Sequence, residues 1–217
     1  MYTTDPPKHI VVEGPIGVGK TTLVKRLAST FNYDTLLEAA DQNPFLADFY
    51  RNPNQSALAT QLFFLLQRAE QTQAMRQSDI FTPVRISDFL IEKDRLFAAL
   101  ILDEAELNLY DQIYNHLTVD VPTPDLVIYL QAPTSVLSQR IQKRGIPYEQ
   151  TVRKDYLDKI NEAYTEFFHY YDRSPLLIVN AAEVDFVDDE QGFQLLVEQI
   201  QTTHRGRHYF NPGPKLI

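Results

Sequence analysis

The octapeptide Gly14-Pro15-Ile16-Gly17-Val18-Gly19-Lys20-Thr21 narrows the possible folds of this chain more than any other feature. It satisfies G-x-x-x-x-G-K-[ST] at every fixed position. Glycines without side chains let successive backbone N–H groups turn inward as an anion nest, at a helix N-terminus whose dipole also favours negative charge. Lys20 adds a point charge suited to β- and γ-phosphates, and the Thr21 hydroxyl suits Mg²⁺. The loop needs a strand before it and a helix after it. His9–Glu13 (HIVVE) reads as a buried strand and Lys20–Phe31 as a helix, so Gly14 to Thr22 forms a candidate nucleotide site. The motif implies a nucleoside triphosphate and leaves open where its phosphoryl group goes.

The rest of the chain alternates short apolar runs with helical patterns. Tyr33–Glu38 reads as a second strand, with a short helix to Tyr50 and a polar break at Arg51–Gln55. A long helix from about Ser56 to Arg76 comes next. Pro83–Asp88 reads as a third strand, and helices continue to about Leu117. Pro122 and Pro124 make Thr118–Asp125 a connection. Leu126–Leu130 is a fourth strand, Leu176–Val179 a fifth, with helices at Pro133–Arg144, up to Tyr171, and at Glu190–Thr203. Strands separated by helices imply right-handed crossovers. The expected fold is a three-layer α/β domain of the P-loop NTPase type: a five-stranded parallel sheet with helices on both faces. One domain covers 1–203, and 204–217, with two prolines and two glycines, reads as a tail.

Composition removes several classes of function. None of the 217 residues is a cysteine, which excludes disulfides, thiolate metal sites and cysteine nucleophiles. A net charge of −9 argues against bulk binding to nucleic acid or an anionic membrane. The richest apolar run, Leu62–Leu66, lies between Gln61 and Gln67 and is far short of the roughly 20 residues that span a bilayer. Met1–Lys8 has no hydrophobic signal core, so the expectation is a soluble cytoplasmic protein.

Ligands of open parallel sheets sit at the carboxyl ends of the strands. That selects Glu38, Ser87 and Asp88: a carboxylate ending strand two to take a proton, one ending strand three to hold Mg²⁺ or its waters. Helix capping is the alternative for each. Gln61 and Arg68 are seven apart, about two helical turns, and face one way. They suit the edge of a nucleobase, or else form a solvated stripe. Arg140 and Arg144 are an i,i+4 pair before the Gly145–Pro147 break, as in a lid that brings charge to a transferring phosphoryl group or as in an ordinary surface helix.

With these residues in view, the chain resembles the deoxynucleoside kinase family, in particular its bacterial deoxyguanosine/deoxyadenosine kinase-like branch. The likeness runs from about His9 to Phe186. It rests on EGPIGVGKTT (Glu13–Thr22), LLEAADQNPFLADFY (Leu36–Tyr50), the Gln61–Arg68 spacing, SDFLIEKDRLFA (Ser87–Ala98) and RIQKRGIPYE (Arg140–Glu149). The resemblance implies that Glu38 deprotonates a sugar 5′-hydroxyl, and that Tyr50 and Glu149 bond the 3′-hydroxyl. It implies that Gln61 pairs with the base, Arg68 supports it and Phe97 stacks on it. Arg140 and Arg144 would bind donor phosphates, Thr21 and Asp88 would hold Mg²⁺, and Asn180–Phe186 would lie near the adenine of ATP. A homodimer through helices such as Ser56–Arg76 is also implied.

Two departures stand out. Where many members carry an acidic-Arg-Ser triplet, this chain has Ser87-Asp88-Phe89, so an arginine expected near the 5′-hydroxyl is missing. Ile146 stands where relatives often have a further lid arginine. Lys93 replaces an aspartate of several pyrimidine-preferring relatives, and an ammonium donates to guanine O6, which favours a purine deoxynucleoside. The implied reaction is ATP-dependent 5′-phosphorylation of such a nucleoside. Its competitors are a nucleoside monophosphate kinase, which needs an extra basic group such as Arg68 or Arg85 beside Glu38, and a catalytically weak nucleotide-binding module acting through a partner.

Overall fold

The computed structural model describes residues 7–77, 84–118, 121–182, 186 and 189–211. Strand β1 (His9–Glu13) lies inside the sheet, where both its faces are covered, and accordingly carries the unbroken apolar run Ile10–Val12. Its neighbours are β3 (Arg85–Ser87) and β4 (Leu126–Gln131), both parallel to it, with Val11 opposite Ser87 and Val127. Beyond them lie β2 (Asp34–Leu36), β5 (Leu176–Asn180) and β6 (Arg207–Phe210), giving the all-parallel order β2-β3-β1-β4-β5-β6. The chain moves from β1 outward in both directions, so the topological switch falls at the carboxyl end of β1, where the glycine loop begins.

Successive side chains of β1 point to opposite faces. Ile10 and Val12 join a core formed with α1 (Lys20–Phe31), α6 (Thr134–Arg144) and α8 (Glu190–Thr202). Val11, Val127 and Tyr129 face Ile160, Tyr164 and Phe168 of α7 (Lys154–Tyr170). A third apolar cluster holds α2 (Leu46–Arg51), α3 (Pro53–Gln77), α4 (Glu92–Ile101) and α5 (Glu104–Leu117) together around Phe49, Leu65 and Tyr110. This helical cluster stands beside the sheet and supplies one wall of the cleft described below. No helix among the described residues is long and apolar enough to cross a membrane.

The expected three layers are present, but the sheet has six strands instead of five. The sixth comes from the segment taken for a tail. Its residues are only partly buried and alternate no apolar face, so a sequence pattern has nothing to register. Backbone pairing with β5 holds it, as does Arg207, whose guanidinium donates to the carbonyls of Phe168, His169 and Tyr171 at the end of α7. Strands two and three are shorter than expected, three residues each, which leaves Glu38 and Asp88 in the turns just past them. The long helix starts at Pro53, a residue suited to the first turn, so the polar break shrinks to Asn52. Pro83 and residues 119, 120 and 212–217 lie outside the described residues.

Candidate active site

The glycine loop takes its shape from positions that exclude a side chain. Gly14 has φ +149°, and a Cβ there would lie 2.5 Å from the Leu130 carbonyl oxygen of β4. Gly17 has φ +83°, and a Cβ would meet the Leu137 carbonyl and the Ile141 side chain of α6, each at 2.9 Å. Lys20 opens α1, and its ammonium donates to the Gly14 carbonyl at 2.7 Å, across the loop. Burial lowers the Lys20 pKa, and nearby Lys93 lowers it further.

A deep cleft opens beside the loop. Its walls include Ile16, Gly17, Gly19, Lys20, Thr21 and Thr22 on one side and Tyr50, Gln61, Arg68 and Phe97 on the other. Glu38, Asp88 and Lys93 lie on it as well, with Arg144 and Glu149 at the lid. Most of the residues expected at the site are thus brought together. Gly14, Pro15, Val18, Ser87 and Arg140 are not among the lining residues.

Asp88 ties two strand ends to the loop. One carboxylate oxygen accepts from the Thr21 hydroxyl at 2.5 Å, the other from the Glu38 backbone N–H at 2.7 Å. The Glu38 side chain pairs with Arg68 of α3, whose other amino group pairs with Asp94 of α4. Burial acts to raise the Glu38 pKa, but the cations Arg68, Lys93 and Lys20 outweigh it and hold the carboxyl at about 2. Gln61 and Arg68 are both buried, so the solvated-stripe alternative is excluded for them.

The lid departs from expectation at Arg140. Its guanidinium donates to the carbonyls of Val18 at 3.0 Å and Ala181 at 2.8 Å, which braces the glycine loop against the segment after β5. One turn later, Arg144 pairs with the buried Glu149, whose short 3₁₀ turn (Pro147–Thr151) follows the helix-ending Gly145 at φ 71°. Tyr148 of that turn stacks on Tyr50 at 6.1 Å, and burial raises the Tyr50 hydroxyl pKa well above its ordinary value, with Tyr156 and Glu149 adding to the shift. Of Asn180–Phe186, Phe186 packs beside Gly19, while Glu183, Val184 and Asp185 lie outside the described residues.

Lys93 lines the cleft, but its ammonium is paired with Glu13 at 2.9 Å, at the foot of the glycine loop. The acid paired with Arg68 is Asp94, the next residue, and Lys93 lies by the glycine loop instead, which removes the reason to aim it at guanine O6. Three residues not singled out in the sequence take part here: Glu13, Asp94 and Tyr164. Glu13 was legible in principle, as a charge ending an apolar strand, since a buried charge requires partners. Asp94 lies three before Phe97, on the same helical face.

Comparison with known proteins agrees with this geometry. The pattern that defines the deoxynucleoside kinase family matches residues 10–204. The chain is 33% identical over 200 residues to a deoxyguanosine kinase of Bacillus subtilis, covering 88% of this chain and 95% of that one. It is 31% identical over 211 residues to a deoxyadenosine kinase of Dictyostelium discoideum, covering 94% and 82%. Among solved structures, the deoxyadenosine kinase of M. mycoides with products dCMP and dCDP superposes with a TM-score of 0.77 at 25% identity, over 88% of this chain and 98% of that one. The family match spans every element that lines the cleft, so the chain belongs to the deoxynucleoside kinase family and is a phosphotransferase.

Proposed function

We propose that the protein transfers the γ-phosphoryl group of ATP to the 5′-hydroxyl of a purine deoxynucleoside, deoxyguanosine first. The observation that carries this reading is the position of Glu38, which lines one cleft with Lys20 and Thr21 of the phosphate loop and with Gln61 and Phe97 of the opposite wall. In this reading the base lies between Phe97 and Gln61, with the 5′-oxygen at Glu38 and the loop. The names of the bacterial and slime-mould relatives, a deoxyguanosine and a deoxyadenosine kinase, support a purine in place of the Lys93 argument.

In this mechanism Glu38 accepts the 5′-hydroxyl proton as the oxygen attacks in line. Lys20 and the loop N–H groups hold the donor phosphates. Arg144 brings charge from the lid, while Arg140 fixes the loop from behind. Tyr50 and Glu149 receive the 3′-hydroxyl, and Gln61 and Arg68 read the base. The Thr21 hydroxyl and an Asp88 oxygen stand 2.5 Å apart, a hydroxyl-plus-carboxylate set that fits Mg²⁺, which keeps most of its shell as water and phosphate. When bound, Mg²⁺ neutralises charge on the β- and γ-phosphate oxygens. The same reading carries a cytoplasmic enzyme and a homodimer.

A monophosphate acceptor is disfavoured by charge. Arg68 is already matched by Glu38 and Asp94, and Arg85 begins β3, at the end of the strand away from the cleft. The test is ADP release with Mg·ATP and, separately, each deoxynucleoside and its monophosphate. Turnover with nucleosides alone is the expected result; turnover only with a monophosphate overturns the acceptor assignment. Glu38→Gln is expected to keep nucleotide binding and lose turnover by about 10²–10⁴-fold, whereas near wild-type turnover removes Glu38 from its role.

A further inference from the structure

We propose that Lys93 is a second catalytic cation at the phosphoryl-transfer position, held there by Glu13 beside the loop that carries Lys20. The proposal rests on the phosphoryl-transfer reading above and assigns Lys93 to the phosphate end of the cleft instead of the base end.

Glu13 is completely buried at the last position of β1, where three hydrogen-bond donors and one cation converge on its two oxygens. One oxygen accepts from the Gly14 N–H of the loop at 2.9 Å and from the Tyr164 hydroxyl at 2.9 Å. The other accepts from the Leu90 N–H at 2.8 Å and forms an ion pair with the Lys93 ammonium at 2.9 Å. The carboxylate thereby links the first glycine of the phosphate loop to the turn that starts α4. A side chain on α4 is in this way carried to the foot of a loop that lies about eighty residues away in sequence.

The pair as a whole does not need to be there for stability. A buried ion pair is commonly no better than a well-packed apolar pair, because both charges are stripped of water. The backbone N–H of Gly14, that of Leu90 and the Tyr164 hydroxyl already satisfy Glu13. Lys93 nevertheless occupies a position only 3% exposed. An ammonium has three N–H donors. Among the described residues its ion-pair partner is Glu13, and the cleft it lines is where its donors meet an acceptor. Its neighbours there agree with a phosphate-facing position: Lys93 is the strongest charged influence on Lys20 and, after Arg68, the strongest on Glu38. The ammonium thus lies close to both the group that binds the donor phosphate and the group that receives the proton.

In the transfer step the bond from the 5′-oxygen to the γ-phosphorus forms and the bond from that phosphorus to the β,γ-bridging oxygen breaks. ADP leaves with the electron pair of the broken bond, and the 5′-hydroxyl proton passes to Glu38. Lys93 donates to an equatorial phosphoryl oxygen. Glu13 is the positioning residue: it aims the ammonium and anchors the loop at the same time.

Two variants and two readouts test this. Lys93→Met alone leaves Glu13 with an uncompensated charge and can lose stability for that reason alone, so the deciding variant is the double substitution Glu13→Gln with Lys93→Met, which removes both charges. The double variant is expected to melt below the wild type, because a carboxamide has one acceptor oxygen for donors that now sit on two. It is expected to turn over deoxyguanosine about a hundredfold more slowly. Loop disturbance weakens ATP and ADP alike, so the ratio of the two affinities isolates Lys93. Calorimetry of ATP and ADP without a nucleoside is the second readout. The preference for ATP over ADP is expected to shrink about tenfold, since only ATP has the γ-phosphate that Lys93 contacts. A folded double variant with near wild-type turnover and an unchanged ATP-to-ADP ratio overturns the proposal. Silence of the wild type on every deoxynucleoside overturns the acceptor assignment instead, and the ATP-to-ADP ratio then decides on Lys93 by itself.

Discussion

The two walls of the cleft are built in opposite ways. The donor wall is one contiguous stretch of chain whose working groups are mostly backbone N–H, and its shape follows from glycines pressed against β4 and α6. The acceptor wall collects single side chains from α2, α3, α4, α7 and the lid, and its order comes from ion pairs: Glu38 with Arg68, Arg68 with Asp94, Arg144 with Glu149. A backbone site has few ways to vary and recognises what all its substrates share. A side-chain site can change one contact at a time, and that is where a choice among bases can be made.

The strongest way to break the comparison is to strain the donor wall alone. Gly17→Ala puts a Cβ 2.9 Å from the Leu137 carbonyl at φ +83°, a conformation that costs an L-residue about 1–2 kcal/mol even without the contact. The loop must shift, and kcat/KM for ATP is expected to fall by about a hundredfold or more. Binding of deoxyguanosine, measured calorimetrically without ATP, is expected to stay near the wild-type value. Equal loss of both would mean that the two walls are one structural unit.

A smaller effect separates charge from shape on the acceptor wall. With Arg68 present, the Glu38 carboxyl is held at about 2, below its ordinary value of 4.5. The stabilisation from this shift is therefore complete at neutral pH and is lost as the pH falls from 4.5 toward 2. Arg68→Met removes the largest charge that opposes burial, so the Glu38 pKa rises. The acid limb of kcat/KM for the nucleoside is expected to move upward in pH, with a weaker KM for the base. An acid limb identical to that of the wild type would show that Arg68 does not set the ionisation of Glu38.

The same contrast explains what the sequence discloses. The loop, the central strands β1 and β4 and the helices around them are legible because each is a local pattern: a motif, an apolar run, a 3.6-residue period. Glu38 and Asp88 follow from the rule that ligands lie at strand ends, and both line the cleft even though β2 and β3 are only three residues long. The pairings are another matter. Nothing in SDFLIEKDRLFA distinguishes Lys93, which reaches back to Glu13, from Asp94, which reaches across to Arg68. Adjacent positions on a helix differ by about 100° of rotation, so their destinations depend on what packs around α4. Arg140 teaches the same lesson from α6: its spacing from Arg144 put both on one face, yet its length lets it fold back onto Val18 and Ala181.

The smallest effect concerns β6, the element with no sequence signature. Arg207 holds three carbonyls at the end of α7, where the helix presents unpaired acceptors and partial negative charge. Arg207→Ala is expected to cost about 1–2 kcal/mol, a fall of roughly 2–8 °C in melting temperature for a chain of this size. Turnover is expected to stay within about twofold, because β6 is the edge strand and none of its residues lines the cleft. The route by which this expectation would fail is specific. Helix α7 carries Tyr156 and Tyr164 into the acceptor wall, and Tyr164 donates to Glu13 at the foot of the loop. If Arg207→Ala lowers kcat as well as stability, the end of α7 and the two walls move as one body, and the edge strand is part of what holds Glu13 and Lys93 in place.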